Sequence, residues 1–287
     1  MTADQLTAIL ERQLDRPEAE LLRTVLAALD HQVRSALGDS VVGIYLKGSF
    51  ALGSGDSHSD VDFLVVTHDE LTPAEEQRVR ALHRSFPDRT ENWAHVLEGS
   101  YAPADALARR ADGTPWLYVD NGQREMELST HDNTEVFRWV LKHHAVVVSG
   151  AVGGSLVPQV PDSAVRDEAA RLAVERHDSA LAEPEYLANG WGQPHEVLTN
   201  CRMLYTATTG AVCGKVAAAQ WCLDIVADEW LPLIRAAISS RPDPWQRVHQ
   251  QADPELTART APFITYMTSS ILEAAERPAL REPVGPN

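Results

Sequence analysis

The chain predicts an α+β fold: a mixed sheet flanked by helices over residues 1–150, then an all-helical part over 151–287. Two observations carry this expectation. Up to Gly150, short apolar, β-branched runs alternate with amphipathic stretches. Beyond Gly150 only the helical spacing of apolar residues remains.

Each element follows in order. Leu21, Leu22, Val25, Leu26, Leu29, Val33 and Leu37 recur at steps of three and four, which predicts a helix over 17–37. The run Val41-Val42-Gly43-Ile44-Tyr45-Leu46 reads as a strand, and so do residues 61–66. Pro73 suits a first turn and Glu75 and Glu76 follow it, so 73–86 reads as a helix. A third strand is expected over 93–101, with short ones at 116–119 and 125–129. Residues 151–162 carry Gly153, Gly154, Pro158 and Pro161 and read as a linker. Helices are then expected near 163–182, 195–209, 215–226, 228–240 and 254–276. Prolines at 278, 283 and 286 predict a frayed end.

Composition narrows the function. Hydrophobic residues make up 44% and charged residues 23%, an ordinary globular balance. No apolar run is long enough for a membrane span, and Met1-Thr2-Ala3-Asp4-Gln5 does not start like a leader. Cys201, Cys213 and Cys222 form neither a disulfide framework nor a zinc pair, and read as buried thiols. A cytoplasmic monomer is the expectation. The net charge of −16 repels phosphate backbones, which argues against nucleic acid as a partner and favours a cationic small molecule.

The chemistry concentrates in "GSFALGSGDSHSDVDFLVV", residues 48–66. Alternate side chains of a strand share a face, so Asp60 and Asp62 point the same way, roughly 6–7 Å apart. Two parallel carboxylates repel unless a cation stands between them. Mg²⁺ prefers carboxylate and phosphate oxygens and is the natural partner. Gly48 admits close approach of backbone amides to a phosphate, and the Ser49 hydroxyl can donate to it. Ser59 adds a second hydroxyl just before Asp60.

Gly-Ser, a spacer of ten residues and Asp-x-Asp on an apolar strand resemble the nucleotidyltransferase superfamily related to polymerase β. A narrower resemblance lies in "VLTNCRMLYTATTGAVCGKVAAAQWC", residues 197–222. With Leu198-Thr199, Arg202, Tyr205, Thr209-Gly210, Lys215 and Trp221 it resembles the C-terminal domain of aminoglycoside 3″/9-adenylyltransferases, the enzymes that modify streptomycin and spectinomycin. "REMELS" (124–129) and "KHHAVVVSG" (142–150) extend the likeness.

The resemblance implies roles at matching positions. Ser49, Ser59, Asp60, Asn133, Arg202 and Lys215 would bind ATP. Asp60, Asp62 and Glu98 would hold Mg²⁺, and Glu98 would be the general base. His131, Trp191 and His195 would face the acceptor. On the residues alone, Arg202 and Lys215 also fit surface charges, His195 a helix start, and Trp191 a cap on its domain. Streptomycin-modifying members carry a stacking Trp shortly after the strand matching "REMELS"; His131 stands there, which favours spectinomycin.

The implied reaction is Mg²⁺-dependent transfer of AMP from ATP to a hydroxyl of an aminoglycoside-type antibiotic, releasing pyrophosphate. A P-loop kinase would need Gly-x-x-x-x-Gly-Lys-Ser/Thr, which is absent. The same core acting on another small molecule or a protein, and a non-catalytic nucleotide- or drug-binding module, remain alternatives.

Overall fold

The computed structural model describes residues 3–240 and 247–280. Pro283 and Pro286 of the expected frayed end lie outside the described residues. Contacts divide the chain between Val160 and Pro161 into two compact units.

The first unit runs α1 (Ala3–Leu10), α2 (Arg16–Leu37), β1 (Val41–Leu46), α3 (Gly48–Ala51), β2 (Val61–Thr67), α4 (Pro73–Ser85), β3 (Leu97–Pro103), α5 (Ala104–Leu107), β4 (Trp116–Val119), β5 (Met126–Ser129), α6 (Glu135–His144) and β6 (Val146–Gly150). Asp15 opens α2 by accepting from the Glu18 amide at 2.9 Å, and Leu22, Val25, Leu26, Leu29, Val33 and Leu37 share its buried face. Thr72 and Glu75 form a capping box that starts α4.

The six strands lie in the order β5-β4-β3-β2-β1-β6. β2 and β3 are parallel; the other neighbours are antiparallel, so the sheet is mixed as expected. Both faces are covered. Val61, Phe63 and Val65 of β2 join one core with α2 and α4, while Leu64 and Val66 join another with Phe137 and Leu141 of α6. Burying one such side chain contributes roughly 1.5–3 kcal/mol, and this two-sided burial is what an unbroken run such as Phe63-Leu64-Val65-Val66 encodes.

Several elements differ from expectation. Residues 92–95 form a tight 3₁₀ turn instead of the start of β3, with Trp93 and Ala94 both buried in the core against α2 and α4. The expected linker is packed: Val157 is buried in the α6 core, and Lys142 Nζ donates to the Gly154 and Val157 carbonyls at 2.8 and 2.9 Å. α1, α3, α5, α6 and β6 of this unit are additional to the predicted elements.

The second unit comprises α7 (Asp162–Ala182), α8 (Pro184–Leu187), α9 (Gly192–Thr209), α10 (Lys215–Cys222), α11 (Leu231–Ser239) and α12 (Pro254–Glu276). α10 ends four residues earlier than expected, and α11 is entered through a 3₁₀ turn at Asp228–Trp230. α9 is the centre. Its Val197, Leu198, Cys201 and Leu204 pack with Ala169 and Ala173 of α7, Cys222 of α10, Ile234 of α11 and Phe263 and Met267 of α12. Gly210 ends α9 in the left-handed region at φ 74°, where a Cβ would meet Asp162 at 2.7 Å. Arg166 pins three helices by donating to the carbonyls of Ala207 and Ala274, both at 2.7 Å.

Candidate active site

β1 and β2 deliver the site from their adjacent ends. The Lys47 amide donates to the Asp62 carbonyl at 2.9 Å, which carries the pairing one step past Leu46 opposite Phe63. The chain then turns at Gly48, whose φ is 57° and whose missing Cβ would lie 1.9 Å from Asp62 Oδ2. Only glycine lets that carboxylate lie against the backbone. The loop up to Asp60 folds around Asp56. Its Oδ1 accepts from the His58 amide and from Ser59 Oγ, both at 3.0 Å, and its own amide donates to Ser59 Oγ. Gln13 braces the loop from outside by accepting from the Gly55 amide at 2.7 Å.

β3 lies parallel to β2 with Asp62 opposite Glu98. Parallel register sends opposed residues to the same face, so the two carboxylates sit on neighbouring strands of one surface. Glu98 Oε1 accepts from the Tyr118 hydroxyl at 2.8 Å and lies 3.3 Å from His131 Nε2. His131 stacks on Tyr118 with ring centres 5.2 Å apart. Asp62 Oδ1 is 3.2 Å from Lys47 Nζ, and the same ammonium is 2.9 Å from Asp132 Oδ1. Ser100 Oγ donates to the other Asp132 oxygen at 2.7 Å.

This crowding moves the titrations. Burial opposes the Lys47 charge, but Asp132, Asp62 and Glu98 together outweigh it and raise its pKa. Burial, against the attraction of Lys47 and with the repulsion of Glu98 and Asp132, raises the Asp62 carboxyl. Glu98 is also disfavoured by burial, yet its hydrogen bond from His131, the Lys47 charge and the Tyr118 hydroxyl hold it below the usual carboxylate range. The bond to Glu98 in turn raises His131 against its own burial.

The expected residues are placed as follows. Asp62 and Glu98 meet in register; Asp60 and Ser59 stand just before β2; Ser49 lies in α3, its hydroxyl buried with no hydrogen-bond partner. Asn133 is buried and donates to Asp112 Oδ1 and the Thr114 carbonyl at 3.0 and 2.8 Å, so its amide nitrogen ties down a neighbouring loop. In the second unit, Trp191 immediately precedes α9 and stacks on His195 at 4.6 Å, and His195 Nδ1 is 3.2 Å from the Tyr186 hydroxyl. Burial lowers the His195 pKa well below its ordinary value, and the charges of Lys215, Arg176 and Arg202 add to the effect. Lys215 is the first residue of α10.

Sequence reasoning overlooks Lys47, Asp132 and Tyr118. Lys47 carries a faint signal, a cation at the end of an apolar strand directly before Gly48-Ser49. Asp132 carries none, because its partner lies 85 positions away and meets it only through the fold.

The donors suit a hard divalent ion in kind: carboxylates on one face and an orphaned buried hydroxyl at Ser49. Among the described residues, no three His, Cys, Asp or Glu side chains are gathered closely enough to hold an ion by themselves. That agrees with Mg²⁺, which usually takes one or two carboxylates and completes its shell with substrate phosphates and water.

Residues 29–102, which carry β1, β2 and most of β3 with the Gly-Ser turn, Asp62 and Glu98, match the family model of the nucleotidyltransferase domain. Residues 155–269 match the aminoglycoside adenylyltransferase C-terminal domain. The chain is therefore an enzyme of the nucleotidyltransferase class, of the aminoglycoside adenylyltransferase-like kind. It is 26% identical over 222 residues to a spectinomycin 9-adenylyltransferase of Staphylococcus aureus, covering 71% of this chain and 79% of that one. It is 23% identical over 260 residues to an aminoglycoside (3″)(9) adenylyltransferase of Klebsiella pneumoniae, covering 80% and 89%. Its fold resembles the crystal structure of spectinomycin adenyltransferase AAD(9) from Enterococcus faecialis with ATP and spectinomycin. That likeness has a TM-score of 0.65 at 18% identity and covers 87% of this chain and 98% of the other. Among the described residues no helix is long and apolar enough to cross a membrane.

Proposed function

We propose that this protein transfers AMP from ATP to a hydroxyl of a cationic, aminoglycoside-type antibiotic and releases pyrophosphate, with spectinomycin preferred to streptomycin. The observation that carries the reading is the register of Asp62 against Glu98, in a chain whose C-terminal half matches the adenylyltransferase domain. ATP enters with Mg²⁺, which Asp60, Asp62 and Glu98 would hold. When bound, the ion polarises the α-phosphoryl group and offsets charge on the leaving pyrophosphate.

The chain's own groups do the rest. Ser49 and Ser59 offer hydroxyls to the triphosphate. Arg202 and Lys215 stabilise charge on the phosphates as it develops. Glu98 accepts the proton of the attacking hydroxyl. His131 stays exposed beside Glu98, where an acceptor that presents its hydroxyl to Glu98 meets the imidazole. An imidazole offers less flat area to a guanidinium-bearing drug than an indole, a difference of ~0.5–2 kcal/mol. The net charge of −16 favours a cationic acceptor and makes its binding weaken with salt. Other acceptors, as well as binding without turnover, are separated by one experiment: the purified protein, Mg²⁺-ATP and a panel of aminoglycosides, read by mass. The expected result is a drug heavier by one adenylyl group, formed faster from spectinomycin than from streptomycin. Pyrophosphate release without any modified drug would move the acceptor outside this class, and neither product would leave a binding module.

A further inference from the structure

One buried charge has no step in the transfer chemistry. Lys47 Nζ lies 3.2 Å from Asp62 and 2.9 Å from Asp132, with the Lys47 side chain 6% exposed and that of Asp132 4%. Its place is fixed from several sides. Ser100 holds the far oxygen of Asp132, the Lys47 amide is tied to the Asp62 carbonyl, and the Phe137 ring centre is 6.0 Å from the ammonium. The ammonium thus stands between Asp62 and Asp132, with Glu98 opposite Asp62 on the next strand. Buried anions this close destabilise the fold unless a positive charge stays with them.

We propose that Lys47 is a resident cation of the site. It is a positioning residue that holds Asp62 and Asp132 in place before nucleotide arrives, and it keeps a free divalent ion from binding tightly until phosphates join the ligand set. The inference rests on the reading of Asp62 and Glu98 as the carboxylates that receive metal-bound ATP. The physical reason is competition for the same oxygens: Lys47 shares Asp62 Oδ1 with any ion that approaches, and its charge repels that ion at short range. Removing the charge should turn an ordered but weakly metal-binding site into a strained, strongly metal-binding one.

The test uses Lys47→Met, Lys47→Gln and Lys47→Arg in the full chain, with Mn²⁺ as the probe. Mn²⁺ binding is followed by electron paramagnetic resonance without nucleotide and with a non-hydrolysable ATP analogue, and melting is followed with chelator or with saturating Mn²⁺. The two neutral variants are expected to bind Mn²⁺ about tenfold or more tightly than the parent in the absence of nucleotide. They should melt several degrees lower without metal and recover with it, whereas the Arg variant should stay close to the parent in both respects. A residue that merely filled space would lower melting without raising metal affinity. Neutral variants that bind Mn²⁺ no better than the parent, or that melt with it in the absence of metal, overturn the proposal. So do neutral variants that fail to fold even in Mn²⁺, since a replaceable cation predicts rescue. If the parent binds Mn²⁺ with the ATP analogue while Lys47 variants behave like it throughout, only the Lys47 inference falls. If no form binds Mn²⁺ under either condition, the metal reading of Asp62 and Glu98 falls with it.

Discussion

In the sheet unit a cation stands among acids: Lys47 lies between Asp62 and Asp132, with Glu98 one strand away. In the helical unit a ring stands beside an ion pair: His195 Nδ1 is 3.9 Å from Glu196, which binds Arg176, and burial, with the charges of Lys215, Arg176 and Arg202 adding to it, lowers the His195 pKa well below its ordinary value. The two arrangements show how a chain of net charge −16 keeps local fields of both signs. The acids of the sheet unit are gathered around one ammonium, and the cations of the helical unit are spread over helices that pack around an apolar core. Central strands suit the first arrangement because register fixes carboxylates on one face; helices suit the second because long cationic side chains reach from a rigid rod.

The sharpest way to break the contrast is on the acid side. Asp62→Asn is expected to remove transfer almost entirely, by ~10⁴-fold, because several kcal/mol of stabilisation at the phosphoryl group depend on that ligand. Its circular dichroism should remain that of the parent. Drug-modification rates near the parent's would remove Asp62 from the chemistry. Next in size, Glu98→Gln should slow turnover by about 10²–10⁴-fold with a smaller change in ATP affinity. A collapse of nucleotide binding in calorimetry, with turnover largely kept, would make Glu98 a ligand and leave the proton to another group.

The smallest effect concerns neutral buried rings, where the two units should behave alike. His83 lies fully buried in the sheet unit, bonded to the Tyr101 hydroxyl at 2.9 Å, and burial pushes its pKa down to about 3. Its unfolded value is near 6.5, so the unfolded chain takes up the proton first as pH falls. The contribution of His83 is whole above pH ~6.5 and is lost as pH drops from there toward 3, by at most ~1.4 kcal/mol per unit. His195 has the same sign. Urea unfolding between pH 7 and pH 4 should give a flatter acid limb for His83→Gln than for the parent. Equal slopes would mean that His83 is protonated in the fold.

Much of the sheet was readable from local pattern, and its limits were physical. The apolar runs of β1 and β2 and the spacing in α2 declare themselves because each buries a continuous or periodic face. α3 is a single turn in a Gly-Ser loop, too short for any period to register. The strand expected over 93–101 begins only at Leu97, because residues 92–95 bury Trp93 and Ala94 in a 3₁₀ turn that no local period announces. Asp60, Asp62 and Glu98 stand out as charges next to buried runs. Lys47, Asp132 and Tyr118 do not, because what distinguishes them is a partner across the sheet or beyond the next loop.

The strand order has a consequence for how the chain is made. β1 sits between β2 and β6, and Leu46 pairs with Phe63 on one side and with Val146 on the other. Hydrogen-bonding groups along one edge of β1 therefore wait for a partner synthesised about a hundred residues later, and a contact of that span closes slowly. A nascent chain halted before Val146 exposes that edge to other chains, and folding of the sheet is finished only when β6 leaves the ribosome. Ribosome-arrested chains of increasing length should resist protease in one step, once Gly150 has cleared the exit tunnel.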